Sequence, residues 1–103
     1  MAKFAVMATQ DPNGITGEEY RVRLPQGVAY MKSLMDKGLV QHAWTRVGAA
    51  GGLFIFDVDS HETLLKALYD NPISAHLSFQ LFPLTDFASF EGQFESTPAA
   101  PVA

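Results

Sequence analysis

The 103-residue chain contains no cysteine. Disulfides, thiolate zinc centres and thiol nucleophiles are thereby excluded, and any chemistry falls to His, Asp, Glu, Tyr, Lys, Ser or Thr. Basic residues are few, 7 Lys and Arg against 11 Asp and Glu, and they are scattered. With no cationic patch to release counterions from phosphates, nucleic acid is not an expected partner. No apolar run approaches the ~20 residues that span a bilayer. The start, MAKFAVMATQ, is too short and too polar for a signal peptide, so a cytoplasmic chain with no membrane partner is expected. Phosphate-loop and GxGxxG patterns are missing, and no histidine pair stands at i, i+4 on a helix, so neither nucleotide nor metal is expected.

What is there is apolar: 48% hydrophobic residues against 17% charged describe one globular domain. A core this small gains by association, because a domain of about 100 residues buries only about 60–70% of its unfolded surface. One domain over residues 1–95 is expected, with a flexible Pro- and Ala-rich tail over 96–103.

Lys3 to Thr9 alternates and reads as a strand, although Phe4, Val6 and Ala8 are scarcely more core-like than Ala5 and Met7. QDPNG is a turn cluster with Asn13-Gly14 at its centre, and Thr16 is a candidate N-cap for a short helical turn. Pro25 suits a first helical position, so the main helix is read as Pro25 to Lys37, with Val28, Met31, Leu34 and Met35 buried and Gly38 as C-cap. VQHAWTRV, GAAGG and LFIFDV read as strand, glycine-rich connection and strand. Ser60 caps a second helix, with Glu62 in its first turn and Leu64, Leu65 and Leu68 inward. His76 to Leu84 is the fourth strand, and Phe87, Phe90 and Phe94 follow at a spacing of three and four. The order βαββαβ is α+β and ferredoxin-like, with two helices on one face of a four-stranded antiparallel sheet.

The other face is then bare, and a second subunit is the economical cover. In strand four, Leu77, Phe79 and Leu81 face the helices, which sends His76, Ser78, Gln80 and Phe82 to the bare face. In strand two the small set Ala43, Thr45 and Val47 admits a helix, which sends His42, Trp44 and Arg46 the same way. A cavity on that face, aromatic with a few convergent polar atoms, would suit a small molecule.

GLVQHAWTRVG, IFDVDSHETLLKAL and NPISAHLSFQLFPL together resemble the muconolactone isomerase family over about residues 38 to 84. Capping residues and leucines account for much of the match. The His42-x-Trp44 pair is more specific, because the fold does not require it. The resemblance implies a ferredoxin-like protomer that dimerises through its sheets into an α+β barrel, with a pocket between sheet and helices or inside the barrel. It further implies proton transfer on a small unsaturated lactone or related carbonyl compound, without metal or organic cofactor. Where that chemistry would put a carboxylate or lysine early in the main helix, the chain reads LPQGVAY, with Gln26 and Gly27 neutral. That departure points away from muconolactone itself as substrate.

For each candidate two readings stand. His42 is a proton shuttle or a structural histidine. Trp44 is a wall against which a planar substrate stacks, or plain packing. Arg46 clamps a carboxylate or enolate oxygen, or lies in solvent. Asp57 orients His42 across the hairpin or serves the turn near Ser60. Tyr30 points a phenol into the cavity or packs in the core, and His76 sits at the pocket mouth or in water. The leading reading is an isomerase acting on a small-molecule substrate as a homodimer or higher oligomer. Alternatives are a cofactor-free aromatic or polyketide monooxygenase or cyclase on the same barrel, and a non-catalytic ligand-binding protein.

Overall fold

A computed structural model describes residues 1–11 and 17–96. In chain order these form β1 (Ala2–Gln10), α1 (Gly17–Asp36), β2 (Val40–Thr45), β3 (Gly51–Val58), α2 (His61–Tyr69), a short 3-10 turn (Ser74–His76), β4 (Leu77–Leu84) and α3 (Phe87–Ser96). The sheet is antiparallel with strand order β2-β3-β1-β4. This is the expected ferredoxin-like α+β arrangement, followed by a third helix. The expected Asn13-Gly14 turn, the Thr16 cap and the tail beyond residue 96 lie outside the described residues.

Helix α1 differs most from its sequence reading, since it begins at Gly17 and runs through Pro25. Pro25 has no N–H for the Arg21 carbonyl, a local cost of up to about 3 kcal/mol. Continuing the helix aligns Tyr20, Gly27 and Leu34, spaced seven apart, as its buried stripe, and that tertiary burial offsets the local cost. Two members of the expected stripe, Val28 and Met35, are instead 44% and 43% exposed. The C-terminus is as expected. Gly38 takes φ +78°, its N–H donates to the Met35 carbonyl, and the Leu39 N–H donates to the Leu34 carbonyl, which is a Schellman termination.

Ser60 caps α2 by accepting the Thr63 N–H at 3.1 Å. Ala67, not Leu65, joins Leu64 and Leu68 inside; Leu65 is exposed. Strand β4 begins at Leu77, because His76 belongs to the 3-10 turn before it.

Pairing registers assign the two sheet faces. Val40 opposes Phe56 while His42 opposes Ile55, so β2 carries one extra residue, Gln41. This bulge lets Val40 face the helices while Gln41 and His42 both turn to the opposite side. Phe4, Val6 and Ala8 share the helix side with Phe56, Phe54 and Gly52, and with Leu81 and Phe79 of β4. Ala5 and Met7 therefore lie on the bare face.

Side-chain size grades along the helix side. At one end Phe4, Val40, Phe56 and Val58 meet Leu34, Leu64 and Leu68 in a closed core. At the other end Ala8, Gly52 and Thr45 form a row across three strands, with Ala43 beside them. There the sheet offers little to fill the space under α1.

Candidate active site

The space under α1 is a cavity of about 600 Å3. Ala8, Ala43, Thr45 and Gly52 form its floor, while Phe54 and Phe79 contribute rings. Gly52 admits no side chain, since a Cβ there would stand 2.7 Å from Cζ of Phe54 and 2.9 Å from the Trp44 carbonyl oxygen. The opposite wall is α1, and Gly27 lets it approach: a Cβ would lie 2.7 Å from Cδ1 of Ile73.

Polar groups around this apolar space are few. Tyr20 is buried at the wall, and burial pushes its phenol above the usual tyrosine range, so it stays protonated and able to donate. Arg21 and Lys32 border the cavity from exposed positions on α1, about 16 Å apart along the axis at about 1.5 Å per residue. Asn71 is buried beside it, its side-chain Oδ1 accepting the Ile73 N–H at 3.1 Å. Among the described residues, no group of three or more His, Asp and Glu side chains could hold a metal ion.

Strand alternation pointed to a pocket on the helix-free face, while the family resemblance allowed one between sheet and helices. The cavity is on the helix side, and Ala43 and Thr45 open space there instead of admitting a helix. Val47 lies beyond β2 and is fully exposed. Of the residues singled out from the sequence, Trp44 borders the cavity. His42 stacks on that indole, ring centroids 5.6 Å apart and planes at 14°, on the bare face of the edge strand. Arg46 is half-buried and donates from Nη1 to Oγ1 of Thr9 at 2.8 Å, reaching across the position of Gly51.

Tyr30 does not point into the cavity. Its hydroxyl donates to the Ala67 carbonyl at 2.6 Å, tying α1 to α2. Asp57 accepts from Nε2 of Gln41 at 3.0 Å with Oδ2, while its Oδ1 is buried without a partner. The bulge thus gives Asp57 to Gln41, not to His42. His76 contacts Nη1 of Arg23 through Nε2 at 3.4 Å, and its Nδ1 is buried without a partner. Ser78, Gln80 and Phe82 are exposed on the bare face.

Tyr20 and Arg21 escaped the sequence reading because it began α1 at Pro25, and Lys32, though inside that helix, was not singled out. Their signal was the helical spacing of 20, 27, 31 and 34 beside 21, 24, 28, 32 and 35, visible once Pro25 is allowed inside the helix.

Comparison with known proteins agrees with this architecture. A muconolactone delta-isomerase of Rhodococcus opacus is 31% identical over 61 residues, a segment covering 59% of this chain and 66% of that protein. A crystal structure of muconolactone isomerase superposes with a TM-score of 0.70 at 21% identity, over 82% of this chain and 88% of the other. A 5-chloro-2-hydroxyhydroquinone dehydrochlorinase from Burkholderia phenoliruptrix, in complex with 2,5-dihydroxybenzoquinone, superposes with a TM-score of 0.62 at 14% identity, over 81% and 93%. Those two likenesses establish the fold. The muconolactone delta-isomerase family model matches residues 3–89, most of the sheet, both covering helices and the start of α3, and the chain belongs to that family.

Proposed function

We propose that the chain is a cytoplasmic, cofactor-independent isomerase that moves a proton beside the carbonyl of a small unsaturated lactone or related compound, in the cavity between α1 and the sheet. The observation that carries the reading is a buried, protonated phenol, Tyr20, at the wall of an apolar cavity. Removing a proton from carbon next to a carbonyl leaves an enolate. A donor in an apolar, partly dry site stabilises that oxygen far better than water does. Returning the proton at the far end of the conjugated system shifts the double bond, and no electrons are gained or lost. The dehydrochlorinase complex, with an oxygenated planar ring bound by a protein of the same fold, supports a substrate of that shape.

The proton carrier is proposed to be His42; its imidazole lies on the helix-free face, opposite the cavity, so this role requires the substrate to reach it around the open edge of β2. Solvent deuterium exchange into substrate tests both roles. His42→Ala and Tyr20→Phe should each suppress exchange in a folded protein, and unchanged exchange in either variant removes that residue from the mechanism.

The helix-free face, carrying Arg46, Asp57, Ser78, Gln80 and Phe82, is proposed to meet its copy in a second protomer and so close a dimeric barrel. Phe82 and Leu84 are 45% and 44% exposed there, apolar area that a second subunit would cover. Phe82→Glu should convert the dimer to monomer in light scattering; an unchanged mass would mean that another face associates.

A further inference from the structure

The cavity, about 600 Å3 and open to solvent along α1, falls mid-range for small-molecule sites of about 300–1,000 Å3 and so admits a body larger than one ring. The volume has a definite origin in the residues of the floor. Ala8, Gly52 and Thr45 stand abreast in β1, β3 and β2, and Phe54 lies along Gly52 instead of filling the space above it. Any larger residue at Ala43 would project into the same volume.

The lining also grades in character. Rings of Phe54 and Phe79 lie deep, against the sheet, whereas Arg21 and Lys32 stand at the exposed border on α1. Aromatic faces favour a planar apolar body, and a cation at either end of the α1 border favours an anionic group on the solvent side. Tyr20, buried at the cavity wall, offers a neutral hydroxyl. The geometry points to a bicyclic, planar, oxygenated carboxylic acid as the ligand class, its ring system over Ala43 and Gly52 and its carboxylate toward one of the two border cations, Arg21 or Lys32. This rests on the reading of the cavity as the substrate site and goes beyond it by assigning ring number and charge. The neutral Gln26 and Gly27 accord with a substrate other than the family's namesake.

Calorimetry reports occupancy, because the Trp44 indole stacks on His42 on the opposite face of the sheet. The probes are 1-hydroxy-2-naphthoate, salicylate and 1-hydroxy-2-naphthamide. Naphthoate should bind at least about tenfold more tightly than salicylate, because its second ring buries further apolar area. Ala43→Leu should erase that advantage while leaving salicylate unchanged, and Arg21→Gln with Lys32→Gln should reduce naphthoate binding to the level of the neutral amide. Should Ala43→Leu fail to fold, Val28→Phe narrows the cavity from its exposed helical wall and carries the same expectation. Equal affinities for one and two rings, or equal affinities for acid and amide in the unmodified protein, would overturn the assignment. Tight naphthoate binding without deuterium exchange on any lactone removes the isomerase reading alone. Exchange on a monocyclic lactone without naphthoate binding removes this inference alone.

Discussion

Replacing Tyr30 with Phe separates a structural phenol from a catalytic one. Ala67 belongs to the last turn of α2, where carbonyls lack an intrahelical partner, and the Tyr30 hydroxyl supplies one at 2.6 Å. The substitution removes one oxygen from a half-buried position and leaves the Ala67 carbonyl without that donor. A hydrogen bond of this kind contributes about 0.5–1.5 kcal/mol net, and a buried group left unpaired costs about 1–3 kcal/mol. Because water can partly reach the half-buried ring, a loss of about 1–2 kcal/mol is expected. For a domain of about 100 residues that lowers Tm by roughly 5–12 °C. Melting must be compared at one protein concentration, since association shifts the midpoint.

The phenol also carries a pH signature. Burial, then the neighbouring Asp70 carboxylate, raises Tyr30 above its ordinary 10.0, with Lys66 opposing. A raised acid favours the folded state while protonated. Its contribution is therefore intact below about pH 10 and is lost as the pH climbs from there through the raised value. Tyr30→Phe should thus melt lower at neutral pH and lose less on going alkaline, with turnover at saturating substrate unchanged. Unaltered Tm together with lost turnover would refute the reasoning and return Tyr30 to the chemistry.

Gly27→Ala should stay within about 1 kcal/mol of the parent in urea unfolding, because better helix propensity offsets the displacement of Ile73 into the cavity; weakened ligand binding is the expected price, and a loss above about 3 kcal/mol would show that Ile73 cannot move. Deleting Gln41 removes the bulge and forces either Val40, 3% exposed, or the residues after it onto the wrong face. A loss of about 2 kcal/mol or more is expected by urea unfolding, and an unchanged midpoint would mean that the strand slips freely. Asp59 is held below its ordinary 3.8, chiefly by the Thr63 hydroxyl. Stability from that contact is present above about pH 3.8 and is lost as the pH falls through it, so Asp59→Asn should flatten the acid limb of a pH titration of Tm; an identical limb would discount the contact.

The elements legible from sequence are those fixed by neighbours along the chain. The Ser60 N-cap, the Gly38 C-cap and the alternation of Leu77 to Phe82 each act within a few residues, and each was read correctly. His42, Trp44 and Arg46 were also sent to the proper face. The cavity was not legible, because it arises where Ala8, Gly52 and Thr45 from three strands fall in one row beneath a helix that outlasts a proline. Strand β1 shows the division most plainly. Its own residues left the facing open, and only pairing with Phe56 and Phe54 on one side and Leu81 and Phe79 on the other decided that Phe4, Val6 and Ala8 turn inward. Helix caps and the alternation of a strand are local and so are written in short stretches of sequence. Empty volume is a property of residues far apart in the chain, and tertiary packing alone determines it.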